Sequence, residues 1–278
     1  MVVGGHRYST MKATFLAFVL TLVGISSAIA QQPLTIGWTN NMLRISGPQV
    51  PGQYFDTWYL EAFCRSGSTQ RKWEETTIPQ ETKLISASPQ KIRLRTTVEP
   101  SVVIDHEITA GADEVDFRLT IQNKGAEFTD VQWFQPCTRL DRFTGLKQTN
   151  YIEKSFIFTT DGLQLLSKLP RTEEAIYRGG QVYVPQGIPL ADVNPRPIST
   201  FKPANNLIGC FSADGKKLFA TAWDQTQELF QGVIVCLHND PRIGGLKPNE
   251  TKKLHGKVYI LENNIDALLA RYKKDFPK

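Results

Sequence analysis

The sequence predicts an all-β protein, a large antiparallel β-sandwich that ends in a C-terminal α-helix. A dozen or more short segments alternate apolar and polar residues with period two, and turn residues separate them, as expected for half-buried antiparallel strands. Near the C-terminus, Ile265, Leu268, Leu269, Tyr272 and Phe276 instead recur at helical spacing. No internal repeat of fixed period is visible, which argues against a propeller.

The N-terminus has the features of a signal peptide. Lys12 precedes an apolar run over residues 15–30, and this run ends in the A-x-A cleavage pattern Ala28-Ile29-Ala30. The run is short and contains Thr, Gly and Ser, which favours a cleaved signal over a retained membrane helix. We therefore expect a signal peptide over residues 1–30 and an exported protein, located in the periplasm or outside the cell.

The remaining chain, residues 31–278, is predicted to form one domain with its helix over about residues 264–276. Of the 278 residues, 41% are hydrophobic and 21% are charged, an ordinary composition for a globular protein with a large core. No segment after the signal is long and apolar enough to span a membrane. The net charge is +5, but the basic residues are scattered along the chain, so we expect no nucleic-acid partner.

The strongest strand pattern covers residues 110–145. Residues 115–122 alternate strictly, residues 123–125 (Asn-Lys-Gly) predict a turn, and a second strand is predicted over about residues 130–140. One face of this second strand carries Val131, Trp133, Gln135, Cys137 and Arg139. A face that combines an aromatic ring, an amide and a guanidinium is unusual for a core, so we expect part of a binding site here.

Two further segments bear on the site. Residues 229–238 (LFQGVIVCLH) are the most apolar run and predict a single central strand. Residues 170–206 contain six prolines and lose the strand pattern, and a loop of this length is often a functional cover. We expect residues 170–206 to cover part of the site.

Three segments together resemble the galactose mutarotase-like supersandwich superfamily: VDFRLTIQNKG at residues 115–125, W-x-Q-x-C-x-R-x-D at residues 133–141, and CLHNDPRIGGLKPNET at residues 236–251. They are similar in particular to exported members found beside carbohydrate-processing proteins. The likeness extends over most of residues 34–261 as a pattern of strands and turns. It implies a β-supersandwich and a carbohydrate ligand, but it does not choose among epimerases, binding domains, lyases and glycosidases.

Epimerases of that superfamily use a His as acid and a Glu as base, so the resemblance directs attention to the histidines. His106 lies in the predicted strand of residues 102–109 and His238 at a strand end, and these two are the candidate catalytic residues. The Asn-His pair that the resemblance to these epimerases leads us to expect is absent, because the residue before His106 is Asp105 and not an asparagine. His106 also alternates with apolar residues, which equally fits a hydrogen-bonded core histidine.

The candidate sugar-binding residues come from the predicted strand ends and from two tryptophans. Arg and amide groups suit vicinal hydroxyls or a sugar carboxylate, and an aromatic ring suits the flat face of a sugar. The candidates are Trp73, Trp133, Gln135, Arg139, Asp141, Arg142, Asp240 and Arg242. Each has a structural alternative: core tryptophans, an Arg139–Asp141 ion pair, and a turn in which Asp240 caps backbone amides and Arg242 is solvated.

The four cysteines Cys64, Cys137, Cys210 and Cys236 allow three pairings into disulfides. Cys210 and Cys236 lie in apolar strand patterns and are the pair to test first, although buried free thiols are an equal alternative. No CxxC motif or Cys/His cluster is visible in the sequence, so we expect no metal site and no cofactor.

These observations predict an exported carbohydrate-binding protein whose ligand lies on the concave face of the larger sheet. One alternative is a carbohydrate epimerase or polysaccharide lyase that uses His106 or His238 as base. It requires a histidine in a cleft near a second titratable group. The other alternative is a structural or interaction protein of the cell envelope, which predicts an exposed apolar patch or sheet edge in place of a polar pocket.

Overall fold

The structure, a computed structural model, describes residues 1–5 and 32–277. The chain divides into two units, Met1–Gln31 and Gln32–Lys278, and the second unit contains all the strands and helices given below. The predicted signal peptide lies outside the described residues except for its first five positions, so it stays a prediction. Within the described part of the chain, no helix combines the length and apolar character needed to cross a membrane.

The described strands alternate with short turns along most of the chain. In chain order they are β1 (Thr35–Thr39), β2 (Met42–Ser46), β3 (Tyr54–Cys64), β4 (Thr77–Ile78), β5 (Gln80–Ser88), β6 (Lys91–Val98), β7 (Val102–Ala110), β8 (Glu114–Asn123), β9 (Trp133–Arg139), β10 (Ser155–Thr159), β11 (Gly162–Leu165), β12 (Gln181–Tyr183), β13 (Ile208–Phe211), β14 (Lys217–Trp223), β15 (Thr226–Gln231), β16 (Cys236–Pro241) and β17 (Thr251–Glu262). The α-helices are α1 (Trp73–Thr76), α2 (Asp141–Thr144), α3 (Glu173–Arg178) and α4 (Ile265–Asp275).

These strands form two large antiparallel sheets that pack face to face. The eight-stranded sheet has the order β1-β2-β3-β9-β16-β15-β12, with β4 paired to β3. The nine-stranded sheet has the order β11-β10-β13-β14-β17-β8-β7-β6-β5. About 47% of the residues are in strands and 12% in helices, so the prediction of an all-β sandwich is confirmed.

The core lies between the two sheets and follows from the period-two pattern. In β6 and β7 every second side chain is buried, and the positions between them are exposed or partly exposed and carry most of the charged residues of these strands. The exposed face of these strands carries cross-strand ion pairs, with Arg93 Nη2 2.9 Å from Glu107 Oε2 and Arg95 Nε 2.7 Å from Asp105 Oδ1. This part of the nine-stranded sheet is therefore an ordinary solvated face.

The C-terminal helix forms where the sequence predicts it. Asn264 caps α4, because its side-chain oxygen accepts a hydrogen bond of 3.0 Å from the Ala267 backbone N–H. Leu268 is fully buried against a second apolar cluster that includes Phe156, Tyr259 and Leu261. The helix thus docks on the nine-stranded sheet and leaves the eight-stranded sheet uncovered by it.

The prediction of one central strand over residues 229–238 is wrong. The chain reverses between β15 and β16, and these two strands form an antiparallel hairpin in which Phe230 pairs with His238. The Gly232 backbone N–H donates to the Cys236 carbonyl at 3.0 Å and closes the turn. A run of apolar residues cannot reveal such a reversal, because the turn residues 233–235 are themselves apolar.

Candidate functional site

A cleft of about 330 Å³ opens on the outer face of the eight-stranded sheet. Strands β3, β9, β15 and β16 form its floor, helix α1 contributes Trp73 to its lining, and residues 194–196 complete the lining. Its polar lining consists of Glu61, Gln135, Cys137, Asn194, Arg196, Cys236 and His238. The sequence predicted a site on the larger sheet. This prediction is not matched by the cleft, which lies on the smaller, eight-stranded sheet.

Strand alternation explains which side chains reach this cleft. In β9, Phe134 points into the core, where its ring lies 5.4 Å from that of Phe63, so Gln135 and Cys137 project to the opposite face. In β16, Leu237 belongs to the core, and Cys236 and His238 project outward. The predicted polar face of β9 is therefore one half of the cleft floor.

The pairing of β9 with β16 brings two cysteines and a histidine together. Cys236 pairs with Arg139 and Leu237 with Thr138, so the same register places His238 beside Cys137. Cys236 Sγ lies 3.2 Å from His238 Nε2. Hydrogen bonding to Cys236 and the proximity of His238 lower the pKa of Cys137 to about 4. Burial opposes the protonated form of His238, but the Cys137 thiolate together with Glu61 and Glu228 outweighs this and raises the pKa of His238.

Glu61 enters the cleft through an irregularity in β3. Trp58 pairs with Cys137 and Ala62 with Gln135, so four steps along β3 match only two along β9. Such a bulge redirects side chains, and here Glu61 lines the cleft although its neighbours Leu60 and Phe63 belong to the core. Burial raises the pKa of Glu61, while the hydrogen bond from Gln135 Nε2 to Glu61 Oε2 (3.0 Å) opposes that rise.

The segment over the cleft is tied to its floor through Asn194. The Asn194 side-chain amide donates to Gln135 Oε1 at 3.0 Å, and its backbone N–H donates to Glu228 Oε2 at 2.9 Å. Nearby, Asp192 Oδ1 accepts from the Gly67 backbone N–H at 2.8 Å. Part of the long segment 170–206 thus borders the cleft, held by specific hydrogen bonds.

Two buried carboxyl groups lie next to the lining of the cleft. Glu228 in β15 and Asp240 in β16 are paired across the hairpin, and both are 0% exposed. Burial raises the pKa of Glu228 to about 7, and burial together with Glu228 raises that of Asp240 well above its ordinary value. Two adjacent buried acids cannot both ionise cheaply, so this pair holds a proton near neutral pH.

We expect Glu228→Gln to stabilise the protein at pH 8 by about 1–2 kcal/mol. The glutamine oxygen keeps the hydrogen bond from the Asn194 N–H, and its amide can donate to the Asp240 carboxylate in place of a repelling acid. Urea unfolding at pH 8 measures the change in the free energy of unfolding. The exposed Glu75 provides the control, since Glu75→Gln should change stability by less than about 0.5 kcal/mol. A loss of stability in Glu228→Gln would contradict this account of the pair.

The structure brings together some of the residues that the sequence singles out. Trp73, Gln135 and His238 line the cleft. Trp133 is fully buried behind Trp73, with ring centroids 6.4 Å apart, and Asp240 lies beside His238 on the same face of β16, with Asp240 Oδ1 3.8 Å from His238 Nδ1. Trp133 and Asp240 therefore lie next to lining residues without lining the cleft themselves.

Other predicted residues lie outside the lining. Arg139 lies opposite Cys236 on the neighbouring strand, where its charge contributes to the lowered pKa of Cys137. Asp141 and Arg142 are exposed in α2, and Arg142 stacks on the Tyr54 ring at 4.6 Å. Arg242 donates to Gln227 Oε1 at 2.5 Å, and its Nη2 lies 3.9 Å from Asp192 Oδ2, so it anchors the covering segment.

His106 is a core residue and has no access to the cleft. Its side chain is 2% exposed, Nδ1 lies 3.1 Å from the Tyr59 hydroxyl, and Nε2 lies 3.1 Å from Thr96 Oγ1. Burial lowers the pKa of His106 to about 3, so the imidazole is neutral. The structure therefore supports the alternative that His106 is a hydrogen-bonded core histidine, which the apolar face of its strand had indicated.

The sequence interpretation missed Glu61, Asn194 and Cys236, and it placed Cys137 on the polar face of β9 without naming it as a site residue. Glu61 is the one charged residue in the apolar stretch TWYLEAF (residues 57–63), and a lone acid in an apolar strand is a usable signal. Cys236 and His238 are spaced two apart on one strand, which places them on the same face. All four cysteines are buried and free, so the Cys210–Cys236 pairing is not formed and the equal alternative of buried free thiols is the one observed.

A second depression, of about 420 Å³, lies on the outer face of the nine-stranded sheet. Arginines and acids of β6–β8 line it, including the Arg93–Glu107 and Arg95–Asp105 pairs described above. Their charges neutralise one another at a solvated surface. The cleft on the eight-stranded sheet, with its partly buried groups, is the better candidate site.

Comparison with known proteins finds matches among solved structures. No family model and no curated protein matches the chain. Solved structures that resemble it include a galactose mutarotase-like protein from Lactobacillus casei, with 10% identity, a TM-score of 0.42, and coverage of 82% of this chain and 99% of that one. A galactose 1-epimerase from Lactobacillus acidophilus has 9% identity, a TM-score of 0.40 and coverage of 84% and 99%.

A galactose mutarotase related enzyme from Lactobacillus acidophilus has 8% identity, a TM-score of 0.40 and coverage of 82% and 97%. At such low identities the similarity concerns the arrangement of strands and does not extend to individual side chains.

Proposed function

We propose that this protein binds a carbohydrate, a mono- or oligosaccharide, in the cleft on the eight-stranded sheet. The observation that carries the proposal is a row of hydrogen-bonded polar groups beside an aromatic ring. Asn194 donates to Gln135, and Gln135 donates to Glu61, while Trp73 forms the adjoining wall. The predicted signal peptide adds to this proposal a location outside the cytoplasm.

A sugar ring presents hydroxyls at its edge and C–H groups on its face, and the cleft offers partners for both. Carboxylate and amide groups exchange hydrogen bonds with hydroxyls, and the Glu61–Gln135–Asn194 row is already held in place, which reduces the entropy lost on binding. The half-buried Trp73 ring is braced from behind by Trp133 and can cover an apolar sugar face. The volume of about 330 Å³ is at the lower end for ligand clefts and suits one or two sugar units.

The test is calorimetric titration of the protein with neutral and acidic sugars at millimolar concentration. Galactose, glucose and galacturonate are suitable probes. We expect saturable binding of at least one of them, with an affinity that falls at least about tenfold in Trp73→Ala and in Gln135→Ala, equivalent to about 1.4 kcal/mol each. Trp58→Ala is the matched control, because Trp58 is 37% exposed and lies outside the cleft lining. Absence of binding, or equal losses in all three variants, would contradict the proposal.

A second candidate function is catalysis of proton transfer on the bound sugar. It is favoured by the presence of Glu61 and His238 in one cleft, which meets the requirement of a histidine near a second titratable group. Polarimetry of freshly dissolved aldoses tests it. If the protein is a catalyst, the unaltered protein should speed mutarotation above the uncatalysed rate, and Glu61→Gln should abolish this acceleration. A rate equal to the uncatalysed one would contradict catalysis and leave only the proposal of carbohydrate binding.

A further inference from the structure

Cys137, Cys236 and His238 form a compact group at the floor of the cleft. Their ligand atoms, two Sγ and one imidazole nitrogen, all lie within 4.8 Å of one another, and the three residues are buried. They come from two adjacent strands, β9 and β16, whose backbones are fixed by sheet hydrogen bonds. A group of this kind on rigid elements is preorganised to bind one ion between its members.

The donor atoms indicate which ion would bind. Two thiolates and one imidazole form a set that selects thiophilic and borderline ions, Zn²⁺ above all. With Zn–S bonds of about 2.3 Å and Zn–N bonds of about 2.0–2.1 Å, tetrahedral geometry requires ligand atoms about 3.5–3.8 Å apart. The distance of 3.2 Å between Cys236 Sγ and His238 Nε2 needs to open by only a few tenths of an ångström.

The surroundings of His238 fit a ligand that bonds through Nε2. Its other nitrogen, Nδ1, is buried, has no hydrogen-bond partner in the described part of the chain, and lies 3.8 Å from Asp240 Oδ1. A small ring rotation makes an Nδ1–H···carboxylate hydrogen bond. Such carboxylate–histidine pairs fix the tautomer that leaves Nε2 free for a metal.

Gly232 has no side chain, and this absence provides the space that the Cys236 and His238 side chains occupy. A Cβ at this position would lie 2.2 Å from Cys236 Sγ and 3.2 Å from His238 Nε2. Any other residue would therefore displace one of the two. The glycine thus lies in contact with the group as well as at the turn between β15 and β16.

We propose that Cys137, Cys236 and His238 bind one Zn²⁺ ion, with a fourth coordination position open to the cleft. All three residues line the cleft, so an ion can enter and a water molecule or ligand oxygen can complete its coordination. Three protein ligands with one open position is the arrangement of reactive zinc sites, whereas structural sites are closed by four. This inference goes beyond carbohydrate binding and does not rest on it. It assigns His238 to the ion, so with Zn²⁺ bound His238 is not available as the acid or base of the second candidate function.

Metal binding is tested on the reduced protein after chelator treatment and removal of the chelator, in the absence of sugar. Calorimetric titration with Zn²⁺ should show one ion per chain. Titration with Co²⁺ should give the near-ultraviolet thiolate-to-cobalt charge-transfer bands and the intense visible bands of a tetrahedral site. The Co²⁺ spectrum uses the unaltered protein, so it decides the question even where a variant fails to fold.

Variants identify the ligands. We expect Cys137→Ser, Cys236→Ser and His238→Gln each to weaken Zn²⁺ binding by more than about 100-fold, and Asp240→Asn to weaken it by at least about tenfold. Cys210→Ser is the control: Cys210 is equally buried and free but belongs to the other sheet, so its variant should bind as the unaltered protein does.

Three results would overturn the proposal: no Zn²⁺ binding, binding that Cys137→Ser and Cys236→Ser leave unchanged, or a Cys137–Cys236 disulfide in protein purified with zinc present. Because the titration contains no sugar, its failure is distinct from a failure of carbohydrate binding.

Discussion

Trp133→Ala is expected to lower the free energy of unfolding by about 3–5 kcal/mol, the usual cost of removing a large buried aromatic side chain. Trp133 is 0% exposed and packs with Ala62 and Cys64 under Trp73. Its removal leaves a cavity that the rigid strands β3 and β9 cannot close by moving together. Urea unfolding followed by circular dichroism measures the change.

Two other tryptophans separate stability from binding. Trp58→Ala should cost less than about 1 kcal/mol, because this side chain is 37% exposed. Trp73→Ala should cost less stability than Trp133→Ala, since Trp73 is half-buried, yet it should remove the aromatic wall of the cleft. If Trp133→Ala lowered the free energy of unfolding as little as Trp58→Ala does, the conclusion that a tightly packed Trp133 ring supports Trp73 would be wrong.

His106 should make the protein sensitive to mild acid. In the unfolded chain its pKa is near the ordinary value of 6.5, and in the folded chain burial lowers it to about 3. As the pH falls below 6.5, the unfolded chain binds a proton that the folded chain does not, so stability falls progressively between pH 6.5 and 3. For this one group the loss between pH 7 and pH 4 is about 3 kcal/mol.

The comparison of His106→Gln with the unaltered protein isolates this contribution from that of the carboxyl groups. The variant should lose about 3 kcal/mol less between pH 7 and pH 4 in urea unfolding. Tyr59→Phe is the matched control, because it removes the hydrogen bond to His106 Nδ1 but keeps the buried imidazole, and hence keeps the acid sensitivity. Parallel pH profiles for His106→Gln and the unaltered protein would contradict the prediction.

Much of the scaffold was predictable because it depends on local periodicity. The alternation in residues 91–122 defines β6, β7 and β8 and assigns their buried faces correctly. The helical spacing after Asn264, together with its capping side chain, defines α4 to within one residue at each end. Each of these features is a relation between residues a few positions apart, which a single sequence displays directly.

Half of the cleft was predictable for the same reason. The outward face of β9 was recognised from alternation, and it does carry Gln135 and Cys137. Glu61 could not be placed, because the bulge in β3 breaks the alternation on which such an assignment depends. The apolar run that ends at His238 contains a hairpin that the sequence pattern does not reveal, so the strand that pairs with β16 could not be identified.

The sequence by itself determined the all-β class, the C-terminal helix and the polar face of one strand, since these follow from spacing along the chain. Only the tertiary structure decided that β9 lies next to β16, with Cys137 beside Cys236 and His238. Residues 137 and 236 are far apart in the chain, and the register that joins them depends on the packing of the whole sandwich. The same packing placed the two candidate histidines in opposite settings, His106 in the core and His238 in the cleft.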